Sequence, residues 1–229
     1  METIPRRRLP MISTSSTRAI LFPSSWLALC ALLLAVALPA HADERVESAR
    51  GFMSKTVSDV LAILDDKQLA PDVRLSKLES IALERFDFPR MALLVLGKNR
   101  RKLDDAQLEQ FQVEFKRSLS NTYGKKLDRY TSNEKIEMGD ARLESNKDVT
   151  VKTRVVGGEA GDGVSIDYRL REIEGGDWLI IDVTPAGVSL IQNFRSQVQE
   201  IVTQKGVGAL IKTLHEKNEA ADKQATAAK

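Results

Sequence analysis

Hydrophobic and polar positions follow two different periods along the chain, and the change falls near residue 136. Before that point apolar residues recur every three or four positions, as in amphipathic helices. Such patterns predict helices over 44–65 and 71–86, and a short helix around 91–96 that is apolar on nearly all sides and therefore buried. The strongest pattern follows a cap at Asp104 or Asp105 and places on one face Leu108, Phe111, Phe115, Leu119 and Tyr123.

After residue 136 the period becomes two, which predicts strands with one apolar face. Residues 149–155 and 164–170 alternate in this way, and a glycine-rich hairpin loop separates them. Two further strands are expected around 136–138, where Gly139-Asp140 interrupts the pattern, and over 178–183. Helices, then strands, then helices predict an α+β fold, in which a twisted antiparallel sheet of about four strands packs against a mostly helical layer.

The last predicted strand runs directly into a helix across Pro185-Ala186-Gly187. The stretch DWLIIDVTPAGVSLIQNFRSQV starts with a branched apolar run and continues with Val188, Ile191 and Phe194 at helical spacing. It predicts a corner at which the sheet meets the helices. Another helix is expected around 210–214, and residues 219–229 are predicted to form a disordered tail because apolar periodicity ends there.

The first 42 residues have the pattern of a secretory signal peptide. Four arginines precede an apolar run at 26–38 that is too short for a bilayer, which needs about 20 residues. Ala40-His41-Ala42 then supplies the small residues that a signal peptidase reads. Cys30 would be removed with this segment, which excludes disulfides and thiol chemistry in the remainder. Residues 43–218 are expected to form one domain.

Charge and candidate catalytic residues restrict the possible functions. The formal net charge is only +2, so nucleic acid is not expected as a partner. His215 lies near the predicted tail and is expected to be solvated. Asp182 interrupts an apolar strand, so it is interpreted as a structural carboxylate at the corner, with Arg195 as one candidate partner. Two alternatives stay open: a hydrolase that uses Asp182 and Tyr168, and a secreted interaction module.

The apolar faces fit either a filled core or a cavity, because both are lined by the same residue types. A cavity would suit acyl chains, since each buried methylene contributes about 0.8 kcal/mol to binding. The pattern of residues does not separate these two possibilities.

Two blocks of the sequence resemble the MlaC-type, or toluene-tolerance, periplasmic phospholipid-binding proteins. They are FDFPRMALLVLGKNRRKLDDAQLEQFQVEFKRSLSNTYG and GGDWLIIDVTPAGVSLIQNFRSQV. The resemblance implies a lipid-binding domain with its cavity between sheet and helices, no catalysis, and no cofactor apart from phospholipid cargo. A related branch handles hopanoids, and these blocks do not distinguish the two.

The resemblance also implies a location and partners. It implies a carrier that crosses the periplasm between an MCE-domain subunit of an inner-membrane ABC transporter and an outer-membrane lipoprotein-porin complex. Such transport would maintain the lipid asymmetry of the outer membrane.

Ten residues are predicted to line the lipid cavity. Val188 is placed there by the resemblance. The others rest on the direction in which they face as much as on the family: Met91, Leu94, Phe115, Leu119, Val151, Val155, Ile166, Tyr168 and Ile191.

Overall fold

The computed structural model describes residues 38–124, 133–158, 161 and 163–227. The chain divides into two units, Met1–Ala40 and His41–Lys229. The described helices and strands lie in the second unit, except that the first helix begins at Leu38. The predicted signal peptide falls largely outside the described residues and stays a prediction.

Among the described residues, helices precede a four-stranded sheet and two more helices follow it. The helices are α1 (Leu38–Asp65), α2 (Pro71–Arg85), α3 (Phe88–Leu96), α4 (Asp105–Leu119), α5 (Leu190–Lys205) and α6 (Leu210–Ala227). The strands are β1 (Lys135–Leu143), β2 (Val149–Val156), β3 (Val164–Glu172) and β4 (Trp178–Pro185). A 3-10 turn (Gly97–Lys102) precedes α4, a π-helical turn (Ser120–Gly124) follows it, and a short 3-10 turn (Val207–Ala209) precedes α6. The predicted α+β order is confirmed.

The four strands form an antiparallel meander in the order β1-β2-β3-β4. Val151 lies opposite Tyr168, and Tyr168 lies opposite Val183, so these three side chains share one face. The register of β1 and β2 shifts between Met138 and Ala141. That irregularity holds Gly139-Asp140, the pair predicted to interrupt the first strand.

Helix α1 covers the end of the sheet at which β4 begins. Ala49 and Met53 are buried against Val151, Leu170 and Ile180 of the sheet. The indole Nε1 of Trp178 donates a hydrogen bond to Ser48 Oγ at 3.1 Å. Each fully buried large apolar side chain contributes about 1.5–3 kcal/mol, so the packing of α1 on the sheet is a main source of stability for the sheet.

The remaining apolar side chains of α3, α4, α5 and α6 form a separate helical core. Phe115 packs edge-to-face on Phe194, with ring centroids 5.2 Å apart. Asp104 begins α4 through a capping box, because its carboxylate accepts from Gln107 N and the Gln107 side chain accepts from Asp104 N. Of the residues predicted to be buried in α3, Met91, Ala92, Val95 and Leu96 are buried, whereas Leu94 is half-buried and Leu93 is 36% exposed.

The corner between β4 and α5 is fixed by Asp182. Its carboxylate accepts hydrogen bonds from Ser189 Oγ at 2.7 Å, from Ile191 N at 3.2 Å and from Arg169 at 3.3 Å. The structural interpretation of Asp182 is confirmed. The choice of Arg195 as its partner is wrong, because Arg195 Nε instead donates to Leu94 O at 3.0 Å.

Helix α6 continues to Ala227, so the prediction of a disordered tail from residue 219 is wrong for the residues described there. Arg117 on α4 forms ion pairs with Glu219 and Asp222. His215 is likewise held by α4, with Nδ1 2.7 Å from Glu114 Oε1, although half of its side chain is exposed. Polar contacts therefore hold this helix after its apolar pattern ends.

Replacing Asp182 by Ala is expected to destabilise the fold by about 2–4 kcal/mol, because three donors lose a charged acceptor. Urea unfolding followed by circular dichroism measures the change. Asp177→Ala, in the exposed turn before β4, serves as the control and should change stability by less than about 0.5 kcal/mol. Equal effects of the two substitutions would contradict this account of the corner.

The contact between Glu114 and His215 leads to a second prediction, which concerns the stability of the fold in acid. Burial opposes the charge of Glu114, but hydrogen bonds from Asn218 and His215 outweigh it and hold the pKa below its usual 4.5. A lowered folded pKa stabilises the protein above the unfolded pKa, and this contribution is lost as pH falls through the folded pKa. The difference in unfolding free energy between wild type and Glu114→Gln should therefore shrink below about pH 4.5.

The control for this measurement is Glu109→Gln, because Glu109 is exposed on the same helix. Its difference from wild type should stay small and nearly constant over the same pH range. If the difference for Glu114→Gln were also constant, the lowered pKa of Glu114 would contribute nothing to stability.

Candidate functional site

The apolar face of the sheet is filled at one end and half-covered at the other. Val151 and Leu170 are fully buried under α1. Further along the same face, Val155 and Ile166 are only half-buried, and Val164 is 37% exposed. The register places Val155 opposite Val164, and Ile166 opposite Pro185. The half-covered end is thus a continuous apolar surface of neighbouring strands.

Tyr168 lies between the two ends of this face. Its side chain is half-buried, and the surrounding protein is dense enough that burial raises the pKa of Tyr168 to about 12. The phenol therefore stays neutral. Asp182 pairs with Arg169 and so projects from the opposite face of the sheet, which separates it from Tyr168. The two residues of the hydrolase alternative do not form one site.

Five of the predicted lining residues come together in the helical core. This helical cluster consists of buried side chains of α3 to α6 and the turns between them, and it contains Met91, Phe115, Leu119 and Ile191. Leu94 is half-buried and packs against it. These residues contact one another and their helical neighbours.

Two other predicted residues, Val151 and Tyr168, belong to a second group. This sheet cluster joins α1 to the sheet, and its buried members are Ala49, Met53, Val149, Val151, Leu170, Trp178 and Ile180. Phe86 and Val183 pack against both clusters. Sequence reasoning did not select either of them, although Phe86 ends the apolar stripe of α2 and Val183 lies on the apolar face of β4.

Val188 is 58% exposed and is a member of neither cluster. It lies in the turn before α5, where its N–H donates to Pro185 O at 3.0 Å. The adjacent Ala186 N–H donates to Ser165 O at 2.8 Å, which holds the turn beside the start of β3. Val188 therefore lies at the half-covered end of the sheet, and its role as a cavity wall stays a prediction.

Two recesses occur within the helical part of the structure. One, of about 190 Å³, lies where the end of α4 meets α5 and α6, and the other, of about 590 Å³, lies between α4 and α6. None of the ten predicted residues lines either recess. The larger recess contains the Glu114–His215 pair.

Metal sites and membrane-spanning helices are both absent from the described residues. No group of three or more His, Cys, Asp or Glu side chains in this part of the chain could hold a metal ion. No helix within the same residues is long and apolar enough to cross a membrane.

Comparison with known proteins identifies the family. A family model described as "MlaC protein" matches residues 54–216. The toluene tolerance protein ttg2D of Pseudomonas putida is 32% identical over 109 residues, which cover 48% of this chain and 49% of that protein. The chain thus spans about half the length of this curated relative.

A solved structure adds a match in three dimensions. The phospholipid-binding protein from Ralstonia solanacearum, determined in complex with a phospholipid, superposes with a TM-score of 0.67 and 27% identity. The match covers 76% of this chain and 98% of that one. Because the family model covers more than half of the sequence, the chain belongs to the MlaC protein family.

Proposed function

We propose that this protein is a non-catalytic carrier that binds a phospholipid through its acyl chains, between the apolar face of the sheet and the helices. The observation that carries the proposal is the match to a phospholipid-bound structure over 98% of that structure's length. The phospholipid is cargo in this proposal, and no cofactor is required.

The half-covered end of the sheet supports this position for the acyl chains. Val155, Val164 and Ile166 leave apolar surface partly open to solvent. Covering such surface with a hydrocarbon chain is favourable by about 0.8 kcal/mol per buried methylene. A chain of roughly 16 carbons would therefore bind well without an ion pair to its head group.

The proposal also includes a location and partners. The protein would act in the periplasm and exchange lipid with an MCE-domain subunit of an inner-membrane ABC transporter and with an outer-membrane lipoprotein-porin complex. The signal-peptide pattern and family membership support this part. Its consequence would be maintenance of outer-membrane lipid asymmetry.

Native mass spectrometry of the purified protein tests the proposal directly. We expect a fraction of the protein to carry an added mass equal to one diacyl phospholipid, and extraction should release that lipid. If the spectrum showed only the bare polypeptide, under conditions in which a known carrier stays loaded, the proposed function would be wrong. A hopanoid in place of a phospholipid would change the class of cargo.

The role of Val188 is tested by Val188→Glu, which should reduce lipid loading at least about tenfold, because a carboxylate beside acyl chains is costly to desolvate. Its exposure should leave the unfolding midpoint nearly unchanged. Val113→Glu is a matched control, since Val113 is 60% exposed on α4, away from the sheet, against 58% for Val188. Equal loading of both variants would remove Val188 from the site.

A further inference from the structure

The smaller recess lies at a junction of three helices, where packed side chains are ordinarily apolar. Its lining is mixed, because several polar side chains lie there beside Tyr123, Phe194, Leu214 and Ala221. Ser118 and Asn121 come from α4 and its π-helical turn, Asn193 and Gln197 from α5, and Lys217 from α6. The volume of about 190 Å³ equals the space of about six liquid water molecules. It is large enough for a phosphate group with a small organic substituent.

The π-helical turn at Ser120–Gly124 gives the recess its shape. Thr122 Oγ1 donates to Ser118 O at 2.7 Å, which helps to fix the turn. Such turns are rare and occur frequently at functional sites, because they rotate side chains away from the positions of a regular helix. Here the turn presents Asn121 toward α5 and α6.

Most polar groups of the recess bond to one another. Ser118 Oγ donates to Asn218 Oδ1 at 2.8 Å, and Gln197 Nε2 donates to Asn193 Oδ1 at 3.3 Å. Asn121 Nδ2 differs, because it is buried and has no hydrogen-bond partner among the residues that the structure describes. A buried donor without an acceptor costs about 1–3 kcal/mol, which favours a ligand that supplies one.

The charges of the lining indicate the class of ligand. Lys217 supplies a cation, and none of the recess residues in the described chain is a carboxylate. The nearby acidic residues Glu219 and Asp222 are paired with Arg117. A group rich in acceptor oxygens and negative in charge would satisfy both Asn121 and Lys217.

We propose that this recess binds a phosphate group, with Asn121 Nδ2 and Lys217 Nζ as its donors. The phosphate could belong to the head group of a lipid or to a soluble phosphate ester. None of the ten predicted lipid-contacting residues lines this recess, so its lining is separate from that of the proposed acyl-chain site.

Nuclear magnetic resonance titration of the full chain, in phosphate-free buffer, tests this proposal with inorganic phosphate and with sn-glycerol 3-phosphate. We expect saturable shifts of the Asn121 side-chain amide signals and of the backbone signals around residue 217. Glycerol at the same concentrations should cause no such shifts. Absence of saturable shifts with both phosphate compounds would overturn the proposal.

Lys217→Gln should weaken binding about tenfold or more, because a charge-assisted hydrogen bond is lost. Lys217 is exposed, so this variant should keep its fold. Lys212→Gln is the control, since Lys212 is exposed on the same helix, pairs with Glu216 and lies outside this recess. Asn121→Leu provides a second variant with the same expected loss. Unchanged binding by Lys217→Gln would exclude the proposed site.

Comparing lipid-free and lipid-loaded protein separates the two sources of phosphate. If a lipid head group occupies the recess, only the lipid-free protein should bind free phosphate. If the natural ligand is soluble, both forms should bind it equally. If the protein holds no lipid at all, phosphate binding can still be measured on the same sample. Failure of the carrier proposal would therefore not prevent the test of the phosphate site.

Discussion

The carboxylate of Asp182 is the interaction on which the joining of sheet and helices depends. It is buried, and a buried charge is tolerated only when donors surround it. Those donors come from β3 through Arg169 and from the start of α5 through Ser189 and Ile191 N. Because this one group on β4 accepts from donors on two other elements, β3 and the start of α5, it fixes the direction in which α5 leaves the sheet.

That direction places the apolar side chains in two separate cores. Ile191 enters the helical cluster just after the corner, while Ile180, before it, belongs to the sheet cluster. Phe86 and Val183 contact both clusters, and Phe86 is tied to β4 because the next residue donates from its N–H to Ile180 O at 3.0 Å. The two clusters are thus separately packed cores that meet at Phe86 and Val183.

The sequence predicts the elements well because their periods are local properties. Alternation over 149–155 and the cap at Asp104 need no knowledge of distant residues. The end of α6 could not be predicted in this way, because it is held by Arg117, which lies 105 residues from Asp222. The Arg195–Leu94 contact spans 101 residues and involves a backbone carbonyl, which no side-chain pattern in the sequence can indicate. For the candidate site, the direction in which the strand residues face was predictable from their alternation, but the division of the predicted lining residues between two cores was not.

The predicted lining residues also differ in burial, and therefore in how much neighbouring packing a ligand would have to displace to contact them. Met91 and Phe115 are about 1% exposed inside the helical cluster, so an acyl chain could reach them only by displacing well-packed neighbours. Opening such a core forfeits dispersion contacts and costs several kcal/mol. Val155 and Ile166, by contrast, are only half-buried and already face incompletely filled space. We therefore expect the sheet residues to contact cargo, and the buried helical residues to hold the wall behind it in place.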